Sequence, residues 1–124
     1  MADKISTKSD PIYALARRAA VAACNKKATD VKILKLQELS SVADYFVICS
    51  GDVDIHVKAI VDEIKRELKH EIKPWHIEGY QHLHWVLLDY VDFVVHVFHK
   101  ETRDYYNIER LWADAPTEIV EAAE

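Results

Sequence analysis

The sequence predicts a single α/β (α+β) domain, residues 1–124, with helices packed on a mixed β-sheet of about five strands. Three observations support this prediction. The chain has 124 residues, 50% of them hydrophobic, which suffices for one core but not for two domains of typical size. Segments with helical periodicity alternate with short runs of strand-forming residues. The last two runs are joined by so short a link that they must form a hairpin.

The first helix is predicted over residues 11–26. Asp10 can cap free backbone amides, and Pro11 has no amide to leave unpaired at the first helical position. Apolar residues then recur at helical spacing: Ile12, Leu15, Ala16, Ala19 and Ala23. A first strand is expected in residues 31–36, where the pattern leaves open which face is buried.

The central strand is predicted at residues 45–49, a continuous run of strand formers that ends at Ser50 and Gly51. Such a run is typical of a strand that is buried on both faces. A long helix is expected next, with charged residues on one face. Its apolar face is made by Val53, Val57, Ile60, Val61, Ile64 and Leu68.

Three strands and a short helix are predicted in the C-terminal half. Residues 74–77 form the first of these strands, with proline at its start, and residues 85–88 and 93–98 form the hairpin. After the short helix, Leu111 and Trp112 are expected to pack back on the sheet. Residues 1–9 and 115–124 are expected to be flexible ends.

Composition narrows the classes of function. Lys and Arg total 16 against 21 Asp and Glu, a formal charge of −5. This balance argues against nucleic acid as the primary ligand and favours a basic protein partner. The N-terminus has no apolar signal core, and no apolar run approaches the roughly 18 residues of a membrane span. Cys24 and Cys49 are interpreted as buried free thiols.

Five segments resemble, in order, the ribosomal silencing factor family, also called Iojap. The resemblance extends over residues 11–112. Its segments are Asp-Tyr-Phe-Val-Ile-Cys-Ser-Gly at 44–51, His-Ile-Glu-Gly at 76–79, Trp-Val-Leu-Leu-Asp at 85–89, Val-Val-His-Val-Phe at 94–98 and Tyr-Asn-Ile-Glu-Arg-Leu-Trp at 106–112.

The resemblance implies a nucleotidyltransferase-like fold that lacks transferase chemistry, hence no enzyme and no cofactor. It also implies a partner, the universal large-subunit ribosomal protein numbered fourteen. Occupation of that protein blocks joining of the small subunit and represses translation when nutrients are short. Family members of bacteria act in the cytoplasm, and a homodimer is a further assembly state that the resemblance raises.

The chain departs from the family pattern in two places. Val91 lies in the turn between the hairpin strands, where members often have glycine, so this turn must adopt another type or carry strain. Asp52 and Asp54 follow Gly51, where small polar residues are usual. Either carboxylate can cap the next helix.

The alternative function is a nucleotide-binding or nucleotidyltransferase enzyme. The turn at Ser50 and Gly51 could cradle a phosphate, and Asp52 and Asp54 resemble the paired carboxylates that hold Mg²⁺. Capping is favoured over phosphate binding, because two carboxylates would repel a third anion.

The histidines suggest a metal site only weakly. His82 with His84, and His96 with His99, are the closest pairs, and neither supplies the three or four ligands that zinc sites use. His96, inside a predicted strand, is interpreted as a hydrogen-bonded sheet residue.

The residues expected to contact a partner are aromatic and acidic and lie at strand ends and turns. Tyrosine and tryptophan bury a large area at low entropic cost, and acids would complement a basic ribosomal protein. The predicted partner-binding set is Glu78, Tyr80, Trp85, Asp89, Tyr90 and Asp92.

Overall fold

The computed structural model describes residues 10–122. Its helices and strands lie within about two residues of the sequence prediction, with one strand added. In chain order they are α1 (Pro11–Asn25), β1 (Thr29–Lys35), β2 (Tyr45–Gly51), α2 (Asp54–Leu68), β3 (His76–Glu78), β4 (Trp85–Asp89), β5 (Phe93–His99), α3 (Lys100–Tyr106), a 3₁₀ helix (Ile108–Trp112) and β6 (Thr117–Val120).

The strands form one mixed six-stranded sheet in the order β3-β4-β5-β2-β1-β6. This confirms the predicted mixed sheet. Strands β2 and β5 are parallel, and every other neighbouring pair is antiparallel. All seven residues of β2 are buried, as expected for the central strand.

The prediction of a flexible end at residues 115–124 was wrong for residues 117–120, which form strand β6. Strand β6 pairs with β1 from Val31 opposite Val120 to Leu34 opposite Thr117. The pairing satisfies backbone groups that β1 would otherwise expose at the sheet edge. Residues 1–9 of the predicted N-terminal end lie outside the described residues, as do residues 123 and 124.

Helix α1 begins as its sequence predicts. Asp10 is the N-cap, and its Oδ1 accepts a hydrogen bond from the Ile12 amide at 2.9 Å. The other carboxylate oxygen accepts a hydrogen bond from the hydroxyl of buried Tyr45 at 2.6 Å. One side chain therefore caps the helix and ties it to the central strand.

The two faces of the sheet are covered unequally. Helices α1 and α2 pack on one face over a large aliphatic core. On the other face, Phe46, Ile48 and Phe98 belong to a smaller cluster against which Trp112 of the 3₁₀ helix packs. The Trp112 ring meets Phe46 edge-on at 5.9 Å, as predicted. The prediction for Leu111 was wrong. Its side chain, one residue before Trp112 in the same turn, points away from the sheet and is 78% exposed.

Arg103 fixes helix α3 to the sheet. Its buried guanidinium binds both carboxylate oxygens of Glu109, at 3.0 and 3.1 Å. It also donates to Ser50 Oγ and to the Asp30 carbonyl, both at 2.8 Å. The hydrogen bonds from Arg103 outweigh burial and lower the pKa of Glu109.

The turn between β4 and β5 is strained, which is one of the two alternatives that the sequence left open. Val91 has φ of 73°, a region that β-branched residues rarely occupy. The Asp92 amide donates to the Tyr90 carbonyl at 2.9 Å, which closes a γ-turn around Val91. The Val91 amide donates to Asp89 Oδ1 at 2.8 Å, so the carboxylate helps to hold the strained turn.

We expect Val91→Gly to stabilise the protein. Glycine removes the cost of the left-handed conformation, about 1–2 kcal/mol. Its greater freedom in the unfolded chain offsets about 0.5–1 kcal/mol of that gain. The net gain should be about 0.5–1 kcal/mol in urea unfolding with an unchanged m-value. Val91→Ala is the matched control, since alanine keeps the positive φ and should recover much less. Equal stability of the glycine variant and the parent would contradict this account.

Candidate protein-docking face of the sheet

Strand register brings three of the six predicted contact residues onto one face. Glu78 of β3 lies opposite Leu87 of β4, so both point to the same side. Trp85 and Asp89 share that side because alternate residues of a strand do so. We call the surface formed by His76, Glu78, Trp85, Leu87 and Asp89 the open face.

The open face is the part of the sheet that the C-terminal helices leave accessible. His76 and Glu78 are exposed, and Trp85, Leu87 and Asp89 are half-buried. His76 Nε2 and a Glu78 carboxylate oxygen lie 2.7 Å apart. Leu87 and His76 belong to the family-like segments but were not predicted as contact residues, because an aliphatic strand residue is ordinarily core and the predicted set was limited to aromatic and acidic residues.

Trp85 is the anchor of the open face. Its ring stacks on Phe98 at 4.8 Å between centroids and lies 5.1 Å from the Tyr106 ring. Its indole Nε1 donates to His96 Nδ1 at 3.1 Å. These contacts hold a half-exposed tryptophan in one orientation. Its side chain would therefore lose little conformational entropy in an interface.

His96 lies beneath the open face, in register with Leu87. It is the hydrogen-bonded sheet residue that was predicted, and only 4% of it is exposed. Burial lowers its pKa to about 4, so the ring is neutral near pH 7. Because Nδ1 accepts from Trp85, the ring proton lies on Nε2, which has no partner within residues 10–122.

A groove of about 460 Å³ continues the open face toward α3. Trp85, Tyr105 and Tyr106 form its aromatic wall, and Glu101 contributes a carboxylate. Tyr105 is 81% exposed and meets the Tyr106 ring edge-on at 5.0 Å. Neither tyrosine was in the predicted contact set.

Tyr80 lies away from the open face. Its hydroxyl donates to Asp62 of α2 at 2.7 Å, and the ammonium groups of Lys58 and Lys65 lie 5.8 and 5.6 Å from its ring centre. The chain reverses at Gly79, where φ is 82° and any Cβ would lie 2.0 Å from the Trp85 carbonyl oxygen. Tyr80 and Glu78 are therefore neighbours in sequence but face different sides.

Tyr90 does not form part of the surface. It was predicted as a contact residue because it occupies a turn, yet it is only 1% exposed and stacks on Phe93 at 4.8 Å. Burial raises the pKa of its hydroxyl to about 12. Asp92 is exposed at the tip of the same turn, beside strained Val91.

The turn after β2 differs from the capping arrangement that was expected. Val53 is the N-cap of α2, with extended backbone and no side-chain hydrogen bond. This placement puts Asp54 inside the helix and Asp52 before the cap, so neither carboxylate caps. The Asp52 amide donates instead to His56 Nδ1 at 3.0 Å. Asp54 remains in the first turn, where it complements the helix dipole.

The remaining histidines and both cysteines form no recognisable metal site. Within residues 10–122 no group of three or more histidine, cysteine or acidic side chains could hold a metal ion. His84 and His99 rings are 6.2 Å apart. Cys24 and Cys49 are buried and free, as predicted, and burial raises the pKa of Cys49 to about 12.

No helix in the described part of the chain is long and apolar enough to cross a membrane.

The fold and the open face define a small α+β protein with an accessible aromatic and acidic surface on its sheet. The chain belongs to the family described as ribosomal silencing factor during starvation, whose model matches residues 9–124. The resemblance found in the sequence is thereby confirmed.

Relatives and a solved structure support this membership. The chain is 50% identical over 99 residues to ribosomal silencing factor RsfS of Bacillus subtilis (strain 168), covering 78% of this chain and 84% of that protein. It is 32% identical over 91 residues to the Mus musculus protein named mitochondrial assembly of ribosomal large subunit protein 1, covering 70% of this chain and 40% of that protein. A crystal structure from Bacillus halodurans superposes with a TM-score of 0.76 at 40% identity, covering 87% of this chain and 99% of that one.

We expect His96 to make the protein less stable in mild acid. The unfolded histidine takes up a proton near pH 6.5, whereas burial delays uptake in the folded chain to about pH 4. The unfolded state binds more protons in this window, so this contribution is complete above pH 6.5 and is lost as the pH falls, by roughly 1.4 kcal/mol per unit.

The measurement is the free energy of unfolding in urea between pH 7 and pH 4.5 for the parent and for His96→Gln. The variant should show a shallower decline, because glutamine does not titrate. His70→Gln, which removes one exposed imidazole, is the matched control. Identical slopes for the parent and His96→Gln would rule out His96 as the cause.

Proposed function

We propose that this protein is a non-catalytic silencing factor that docks on the large ribosomal subunit. Its open face binds the universal large-subunit protein numbered fourteen, and the bound factor blocks association of the small subunit. Translation is thereby repressed when nutrients are limiting. The factor acts in the cytoplasm, where bacterial ribosomes are.

The observation that carries this proposal is the combination of a fixed tryptophan with carboxylates on one accessible face. Trp85 is held by Phe98, Tyr106 and His96, which suits a binding hot spot. Glu78 lies opposite Leu87, two residues along β4 from Trp85, and Asp89 lies at the far end of the same strand, and ribosomal proteins are generally basic. Complementary charge of this kind directs encounter and excludes like-charged partners.

A factor that silences the ribosome by covering its subunit interface needs no catalytic residues. A specific interface covers about 800 Å² on each partner, so the interface should include both the open face and the adjoining groove. A factor fixed at the subunit interface prevents the second subunit from approaching, and the degree of repression follows the occupied fraction. Family membership and the large-subunit name of the mouse relative support the choice of subunit.

A homodimer formed through the same face would exclude docking. Half-buried aromatic residues at the centre of a surface serve self-association as readily as binding to another protein. We therefore propose that dimer and ribosome-bound factor are alternative states. Their ratio depends on protein concentration.

We expect Trp85→Ala to weaken binding to purified large subunits by about thirtyfold, since a truncated hot-spot tryptophan costs about 2 kcal/mol or more. Glu78→Lys should weaken binding through slower association, with the larger effect at low salt. Both should also release the block on subunit joining. The assay is sucrose-gradient sedimentation of mixed subunits with and without the factor.

Glu38→Lys is the matched control, because it makes the same charge change at an exposed acid outside the open face. Circular dichroism and thermal unfolding of each variant establish that it is folded. The proposal fails if the parent protein neither co-sediments with large subunits nor reduces joined ribosomes. The open face is the wrong surface if folded Trp85→Ala and Glu78→Lys both act like the parent.

A further inference from the structure

A second groove, of about 550 Å³, lies at the C-terminal end of α2. Lys65, Arg66, Lys69 and Lys73 line it, and Ile72 and Pro74 add an apolar part of its wall. Lys65 and Arg66 fall in the last turn of α2, where cations complement the helix dipole. That explanation does not extend to Lys73, which follows the helix.

The positive charge of this groove is largely uncompensated. Arg66 is paired with Glu63 at 2.6 Å. Asp62, the one acid in the wall, is engaged by Lys58 at 3.0 Å and by the Tyr80 hydroxyl at 2.7 Å. Among the described residues no salt bridge is formed by the three lysines that line the groove, Lys65, Lys69 and Lys73.

Among residues 10–122 a salt bridge is also lacking at Lys26, Lys27, Lys35, Lys100 and Arg110, but none of these cations lines this groove, which gathers three such lysines in one wall. Arg17, Arg18, Lys32 and Arg103 all pair with carboxylates elsewhere in the molecule. A protein of net charge −5 therefore keeps a patch of unpaired cations on the helix side of its sheet. The patch adjoins β3 along the chain, because Pro74 is only two residues before His76, where the strand begins.

We propose that the groove at the end of α2 binds the phosphate backbone of RNA. The proposal rests on the proposed function, because a factor docked on a ribosomal subunit lies next to ribosomal RNA. Lys65 and Lys69 are one helical turn apart, so their Cβ atoms are about 5–6 Å apart and their flexible side chains can reach successive phosphates of one strand. Flexible ammonium groups bind phosphates without reading sequence.

The groove would also reduce the electrostatic repulsion between an acidic protein and RNA. An acidic factor approaching a particle rich in RNA is repelled by phosphates at distances within about a Debye length. A cationic groove beside the acidic face converts part of that repulsion into attraction and restricts the orientation in which the factor can dock. The open face supplies specificity for protein, and the groove supplies orientation on RNA.

The test uses fluorescence anisotropy with a labelled twelve-nucleotide oligouridylate and the full chain. The variant is Lys69→Gln with Lys73→Gln, two exposed positions. The control is Lys26→Gln with Lys27→Gln, which removes the same charge at the other end of α2. There, His56 of the first turn lies 2.7 Å from the Lys26 carbonyl.

The parent should bind at about 50 mM potassium chloride, and the Lys69 and Lys73 variant should bind about tenfold more weakly. The slope of log affinity against log salt should fall in magnitude by about 1.4, since each lost phosphate contact on a single strand contributes about 0.7. The control pair should change both quantities much less.

Three results would overturn the proposal. The first is no binding by the parent, or unchanged binding by the Lys69 and Lys73 variant. The second is an equal loss in both pairs, which would reflect net charge alone. The third is competition by poly-glutamate as effective as by unlabelled RNA, which would indicate an acidic protein as occupant.

Failure here is distinguishable from failure of the proposed function. Binding to purified universal protein fourteen, with no RNA present, depends on the open face. The Lys69 and Lys73 variant should retain that binding. A parent that binds the protein but not the RNA overturns only the groove, and a parent that binds the RNA but not the protein overturns only the docking partner.

Discussion

The parallel pairing of β2 with β5 is the constraint on which the rest of this structure depends. Every residue of β2 is buried, so both faces of the sheet need a cover at that point. A parallel connection requires a crossover, and α2 provides it on the face where α1 also packs. The other face receives only α3 and the 3₁₀ helix, which follow β5. These short elements cover the centre of the sheet and leave β3 and part of β4 accessible.

Accessibility at this edge comes with rigidity because the surface is bonded to the core. The indole of Trp85 reaches inward to His96, and Phe98 supports its ring from the same strand as that histidine. Arg103 fixes α3, which brings Tyr106 against Trp85, through hydrogen bonds to Ser50 of β2 and to the Asp30 carbonyl of β1. Ser50, which in the sequence suggested a phosphate-binding turn, is thus engaged in holding α3.

Local signals in the sequence predicted most of the fold. A capping aspartate before proline, a continuous run of strand formers and a short hairpin link each depend on neighbours in sequence. The errors arose where distant contacts decide the outcome. Tyr90 sits in a turn but is buried by tertiary packing, and β6 forms because β1 offers it an edge. For the surface, strand alternation united Trp85 with Asp89, whereas Gly79 turned Tyr80 to the opposite side, which residue type alone could not predict.

Net charge is a poor guide to what a small protein can bind, because it sums charges that the fold has already paired. The −5 of this chain argued against nucleic acid, and that argument holds for a surface that carries the average charge. Folding, however, pairs several arginines with carboxylates and leaves lysines such as Lys69 and Lys73 without partners at one end of α2. Acidic and basic surfaces then lie on either side of a single edge strand. This separation of charge is what allows the two proposals, a basic protein at the open face and RNA at the groove, to hold for one chain of net negative charge.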